Sequence, residues 1–255
     1  MLNNLRKIAY DAGEILLKGY REKKDISFKG TVDLVTTYDV KIEQFIKNRL
    51  EKEFKDFNII GEESGADSKD KEYSIYIDPI DGTTNFVHNI PHVGISMGIW
   101  RKNDPIAGVV YNPILDEMFY AKIGKGAYCN NQKIVVSDTT DFQQSLMATG
   151  FPYTKVEKGE DFHWVLRTME KILPYTRDIR RLGAASLDLC YCAKGVFDAY
   201  YELGLKPWDV AAGIVILLGA GGSVSNEKGS KYNFNDKIIL ATNGKIHHKL
   251  VNKIQ

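Results

Sequence analysis

Apolar residues recur at helical spacing from the start of the chain. Leu2, Leu5, Ile8, Ala9, Ala12, Ile15 and Leu16 predict an amphipathic first helix, with Gly19 near its end. The polar stretch 21–39 contains Lys29-Gly30 and reads as a loop or a weak hairpin. Ile42, Phe45, Ile46, Leu50 and Phe54 then mark a second helical stripe, with Thr36 or Thr37 able to cap it and Asp39 in its first turn. A short strand at 58–60 runs into Gly61-Glu62-Glu63-Ser64. Ile75-Tyr76-Ile77 has the continuous apolar character of a buried strand, and Pro79, which cannot donate to a ladder, predicts its end. The apolar segments 93–100, 105–113 and 117–123, separated by turn residues, predict an antiparallel meander, and a further strand is expected at 133–136.

The composition turns polar at 137–141, where a junction is expected between an α+β half, 1–140, and an α/β half, 141–255. In the second half, strands are expected at 145–149, 197–201, near Val224 and at 238–241. Helices are expected at 160–173, stopped by Pro174, at 187–194, stopped by Gly195, at 209–219 and at 246–254.

An apolar content of 44% supports a substantial core, and 34 basic against 33 acidic residues leave a net charge of +1. That balance argues against a broad nucleic-acid footprint, so no direct nucleic-acid binding is expected. No apolar run is long enough for a membrane span, and the N-terminal pattern, interrupted by Asp11 and Glu14, is not that of a signal peptide. Cys129, Cys190 and Cys192 lack metal-site spacing; they read as core thiols in a reducing, cytoplasmic setting.

The stretch 73–86, YSIYIDPIDGTTNF, gathers the candidate chemistry. Asp78 and Asp81 sit three residues apart after a strand, and Thr83, Thr84 and Asn85 can open a helix whose N–H groups are free for an anion. Paired carboxylates beside amide donors suit a divalent cation carrying a phosphate. Asp-Pro-x-Asp-Gly is equally a plain turn composition. Glu62 also follows a strand, and Asp209, next to Trp208, opens an apolar helix. These four carboxylates would repel one another in a shared cleft unless metal ions neutralised them, which makes a two-metal phosphoryl-transfer site chemically attractive, with ordinary charged turns as the alternative.

On these residues the chain resembles the inositol monophosphatase family from near residue 5 to near 254. Asp78-Pro79-Ile80-Asp81-Gly82-Thr83-Thr84-Asn85 matches the family's D-P-[ILV]-D-G-T-x-N pattern, and Trp208-Asp209 with Val210 to Gly213 matches its W-D signature. Gly61 to Ser64 and Asp33 to Asp39 match its G-E-E-S and D-L-V-T-x-x-D elements. The resemblance implies the layered αβαβα sandwich of the inositol monophosphatase and fructose-1,6-bisphosphatase type. It also implies a homodimer, lithium sensitivity, and phosphomonoester hydrolysis with two to three Mg²⁺ ions. Glu62, Asp78, the Ile80 carbonyl, Asp81 and Asp209 would hold the metals. Glu62, Thr83 and Asp39 would orient the attacking water and take its proton. Asp81, Gly82, Thr83, Gly183, Ala184, Ala185, Glu202 and Asp209 would contact substrate, with Lys29 a further loop contact if the 22–35 loop closes. Ala184 stands where relatives often carry a hydroxyl residue.

The leading substrate is myo-inositol 1-phosphate; fructose 1,6-bisphosphate, histidinol phosphate and 3′-phosphoadenosine 5′-phosphate are the alternatives within the fold family. A bisphosphate would favour an added basic contact such as Lys29 or Arg180. The run 180–213 resembles the bacterial SuhB-like branch, some members of which are partners of the transcription machinery. The remaining candidates read plainly: His88 and His92 as loop residues, His247 and His248 as solvent-facing, Trp208, Tyr200 and Tyr201 as packing residues.

Overall fold

A computed structural model describes residues 1–22, 26–28, 34–66 and 71–255. In chain order the elements are α1 (Leu2–Arg21), β1 (Ile26–Phe28), β2 (Leu34–Thr36), α2 (Thr37–Glu53), β3 (Phe57–Gly61), β4 (Gly65–Ala66), β5 (Tyr73–Asp81), α3 (Thr83–Val87), β6 (Gly94–Arg101), β7 (Asp104–Asn112), β8 (Glu117–Lys122), β9 (Ala127–Cys129) and β10 (Gln132–Ile134). Then follow β11 (Leu146–Thr149), α4 (Glu160–Ile172), β12 (Asp178–Arg180), α5 (Ala185–Ala193), β13 (Ala199–Leu203), α6 (Pro207–Gly219), β14 (Ser223–Ser225), β15 (Ile238–Thr242) and α7 (His247–Ile254).

Two mixed sheets organise these elements. The larger runs β10-β9-β8-β7-β6-β5-β3-β4, the smaller β12-β11-β13-β15-β14, and β1 pairs with β2 as a separate hairpin. Strand alternation divides the core into layers. On the large sheet, Val109 and Tyr120 face a cluster with Leu5, Ile8, Ile42 and Leu50 of α1 and α2, while their neighbours Val110 and Phe119 face α5 and α6. On the small sheet, Ala148, Tyr200 and Ala241 join that α5–α6 cluster, and Met147, Tyr201 and Leu240 pack with Ile172 and Leu250 of α4 and α7. Helices, sheet, helices, sheet and helices therefore alternate, the expected αβαβα order. α5 and α6 are shared between the sheets, which explains why α6 is apolar almost all round.

α6 sits unusually close to the large sheet. A Cβ on Gly98 would lie 2.6 Å from the backbone at Ala211–Ala212, and one on Gly108 would lie 2.6 Å from the Ala212 carbonyl oxygen. Trp100 Nε1 donates to the Ala211 carbonyl at 3.1 Å. This contact fixes the height of the helix that begins just before Asp209.

Three local expectations need correction. β5 does not end at Pro79: Asp78 pairs with Ser96 and Asp81 with Gly94, with the register shifting between them. A proline is tolerated there because the bulge lifts it out of the ladder. His247 is not solvent-facing; its Nδ1 lies 3.0 Å from Thr242 Oγ1 and its Nε2 lies 2.9 Å from Ser225 Oγ. Tyr200 does more than pack, since its hydroxyl donates to Glu202. Lys29, Gly30 and Asp33 lie outside the described residues. All three cysteines are free and buried.

Candidate active site

The irregular end of β5 creates the site. The bulge carries Pro79 and Ile80 between two paired residues, so Asp78 and Asp81 are set by ladder bonds on either side. Asp78 Oδ1 accepts the Ile80 N–H at 3.0 Å, closing the turn on itself. Gly82 follows with φ +91°, a backbone that favours glycine, and caps the short helix α3.

These residues open onto one cavity of about 450 Å³. Glu62, Asp78, Ile80, Asp81, Gly82, Thr83, Gly183, Ala184, Ala185, Glu202 and Asp209 all line it, although they come from distant parts of the chain. Asp39 stands behind this lining. Its Oδ2 accepts from the Thr36 N–H at 2.8 Å and the Thr36 hydroxyl at 2.6 Å, completing a capping box at the start of α2. Its Oδ1 lies 3.2 Å from Thr83 Oγ1, which is also 3.1 Å from the Ile80 carbonyl oxygen.

The carboxylates are held under electrostatic tension. Burial, then repulsion from Glu62, Asp81, Asp209 and Asp39, pushes Asp78 well above the usual carboxylate range. Burial also lifts Asp209, with Glu62, Asp81 and Glu202 adding to the shift. Asp81 is pushed up to about 6 by burial, against the pull of Ser186. Its Oδ1 accepts the Ala185 N–H at 3.1 Å, and its Oδ2 accepts the N–H and hydroxyl of Ser186 at 2.7 Å and 2.5 Å. Asp39 is raised to about 6 by burial despite its bonds to Thr36. Glu202 reaches about 7, again through burial, with the Tyr200 hydroxyl opposing the rise.

The donor set is entirely hard oxygen, which suits Mg²⁺ or a similar cation rather than a thiophilic one. As placed, however, no three such groups among the described residues already form a closed ligand set. Asp81 turns onto the N-terminus of α5, and Asp209 Oδ2 accepts the Lys206 N–H at 2.6 Å. The carboxylates share a cavity and a repulsion without meeting at a point, and a cation would offset that repulsion.

Part of the cavity's rim is basic and aromatic: Phe151, Tyr153, Lys155, Arg181 and Lys206. The Arg181 guanidinium lies 5.4 Å from the Phe151 ring centroid. Burial and the neighbouring Arg181 lower the Lys155 ammonium. Arg180 is not part of this rim; it is paired with Asp178 at 2.5 Å on the small sheet's edge. Sequence reasoning missed Lys155, which lies in a stretch with no motif, and Lys206, two residues before the Trp208-Asp209 signature. It also missed His92 as a fixed element: its Nε2 is 3.1 Å from Asp188 Oδ1, and its carbonyl accepts from Asn85 at 2.8 Å. The position of Asp188 as a carboxylate at the start of the predicted helix 187–194 was the available signal.

Comparison with known proteins gives a consistent result. Residues 1–255 match the family described as the inositol monophosphatase family. The chain is 38% identical over 258 residues to Nus factor SuhB of Pasteurella multocida (strain Pm70), covering 100% of this chain and 96% of that protein. It is 39% identical over 249 residues to inositol monophosphatase 1 of Solanum lycopersicum, covering 96% and 90% respectively. Its fold is similar to the crystal structure of extragenic suppressor protein suhB from Bartonella henselae, with TM-score 0.93, 36% identity, and coverage of 99% and 97%.

Proposed function

The chain belongs to the inositol monophosphatase family, and on that premise we propose that it is a Mg²⁺-dependent phosphomonoester hydrolase whose leading substrate is myo-inositol 1-phosphate. The observation that carries this reading is that Glu62, Asp78, Asp81 and Asp209, from distant parts of the chain, line one cavity. Glu62, Asp78, the Ile80 carbonyl, Asp81 and Asp209 would hold the metal. When bound, divalent ions would neutralise these carboxylates and supply Lewis acidity toward phosphate and water.

The protein's own groups suggest how the proton moves. Thr83 Oγ1 has one hydrogen and two acceptors within reach, Asp39 Oδ1 and the Ile80 carbonyl. Its lone pairs are thus left to receive a hydrogen bond from water. Asp39, raised to about 6, can accept a proton through Thr83 near neutral pH. Water attacks phosphorus in line as its proton passes through Thr83 to Asp39, the ester P–O bond breaks, and the inositol oxygen leaves and takes a proton from solvent water. The N–H groups of Gly82 and Thr83 would bind the phosphate at the start of α3. Gly183, Ala184, Ala185 and Glu202 would contact the polyol, and a carboxylate such as Glu202 suits hydroxyl donors. Lithium inhibition, a homodimer and a cytoplasmic setting belong to the same reading; three free buried thiols favour the last. Among the described residues no helix is long and apolar enough to cross a membrane.

Phosphate release with Mg²⁺ from inositol 1-phosphate, fructose 1,6-bisphosphate, histidinol phosphate and 3′-phosphoadenosine 5′-phosphate tests the substrate. Fastest turnover of inositol 1-phosphate is expected; faster turnover of another ester would replace the substrate and keep the chemistry. A second reading rests on similarity to proteins named Nus factor SuhB: a partner in the transcription machinery. Capture of RNA polymerase components by protein carrying Asp78→Asn and Asp81→Asn would support it; their absence would oppose it.

A further inference from the structure

α2 carries a polar stripe on its buried face. Asp39, Glu43 and Lys47 follow one another at intervals of four residues, with exposures of 1%, 2% and 8%. Charged side chains are rarely buried to this extent without a structural or chemical use. Asp39 reaches Thr83 after β5, as described above. Glu43 reaches the other strand end: its Oε2 accepts the Glu63 N–H at 2.8 Å and its Oε1 accepts the Ser64 N–H at 2.9 Å. Lys47 Nζ donates to Ser64 Oγ at 2.8 Å.

The room for this contact is built in. A Cβ at position 61 would lie 2.4 Å from the Glu43 carboxyl carbon, so Gly61 leaves the space the carboxylate fills. The Glu62 N–H is fixed too, donating to the Ile77 carbonyl at 3.2 Å. Three consecutive amides, at 62, 63 and 64, are therefore tied down, one to the strand that carries Asp78 and two to Glu43. Two N–H bonds to the two oxygens of one buried carboxylate form a geometrically specific clamp.

We infer that Glu43 is a positioning residue: it sets the backbone that carries Glu62 and thereby the affinity of the site for its cation. The inference rests on the reading of Glu62 as a metal ligand. α2 then acts as a rigid spacer. Its rise of roughly 6 Å between Asp39 and Glu43 fixes the separation of the Thr83 turn and the Glu62 turn. A carboxylate on a loose turn would have to be ordered by the metal itself, weakening binding.

The test is Glu43→Gln in the full chain. Glutamine can accept one of the two N–H bonds but points an amide donor at the other. In metal-stripped protein, amide exchange at Glu63 and Ser64 should accelerate. Calorimetric Mg²⁺ affinity should fall by about 10–100-fold, as when other groups supporting metal ligands are removed. Turnover should recover toward wild type at saturating Mg²⁺, so the loss lies in metal dependence. Leu50→Ala, a core change on the same helix, should lower the melting temperature yet leave Mg²⁺ affinity within about twofold. Wild-type Mg²⁺ affinity in Glu43→Gln, or an equal loss in Leu50→Ala, would overturn the inference. Should Glu43→Gln fail to fold, Gly61→Ala displaces the same carboxylate; lost affinity supports the clamp and unchanged affinity refutes it. Wild-type protein that neither binds Mg²⁺ nor releases phosphate would bring down the proposed function and this inference together. Wild-type activity with a metal-insensitive Glu43→Gln would bring down this inference alone.

Discussion

The two walls of the cavity are built differently. The acidic wall is tied to backbone, Asp78 to Ile80, Asp81 to α5 and Asp209 to Lys206, and Asp78 and Asp81 are buried. The basic rim is made of long side chains, and Arg181 and Lys206 are exposed. Among the described residues neither of these, nor Lys155, forms an ion pair with a carboxylate. Fixed groups suit a reaction in which small displacements change rates, whereas exposed cations attract an anion over a distance. The acidic wall should therefore govern turnover and metal binding, and the basic rim should govern capture.

Asp78→Asn should produce the largest change, lowering phosphate release by roughly 10³-fold or more. The same substitution should raise the melting temperature of metal-stripped protein at pH 8, because it removes one of several repelling charges. A lower melting temperature would show that the acidic wall is not under tension. Arg181→Gln should act on the other wall, raising KM by about 3–10-fold at low salt with little change in kcat and with a flatter salt dependence. A drop in kcat alone would erase the distinction between the walls. Ser186→Ala is the smallest test. Loss of its hydroxyl bond to Asp81 should raise the carboxylate further in metal-stripped protein, so that protons compete better with the cation and Mg²⁺ affinity falls severalfold at pH 6 and less at pH 8. A pH-independent effect would mean that Ser186 acts only through packing.

Much of the fold was written in hydrophobic period. The stripes of α1, α2 and α6 and the meander of β6, β7 and β8 lie where the apolar residues place them. The bulge in β5 was hidden, because Pro79 signals a break but not whether the ladder resumes beyond it. β4 and β12 are two- and three-residue strands made by pairing, with too few positions to carry a pattern. At the site, motif order identified the four carboxylates Glu62, Asp78, Asp81 and Asp209 that line the cavity. It did not identify Glu43, although a carboxylate four residues after Asp39 within an apolar stripe was visible in the sequence. Its use depends on a turn 20 residues away, which only the packed structure brings near. Lys155 and Arg181 likewise meet only through folding.

Raised carboxyl pKa values make a signed statement about stability. Metal-stripped protein should be most stable under mildly acidic conditions, where these groups keep their protons in the folded state. That stability should be lost as pH rises through about 6 for Asp39 and Asp81 and about 7 for Glu202. Mg²⁺ should restore it by binding the folded, ionised site. The most direct measurement is the melting temperature of stripped protein at pH 5.5 and pH 8, each with and without Mg²⁺. The account predicts a lower value at pH 8 than at pH 5.5 without metal, and a rise of several degrees on adding Mg²⁺ that is larger at pH 8. Equal melting temperatures at both pH values, with no response to Mg²⁺ at pH 8, would contradict it.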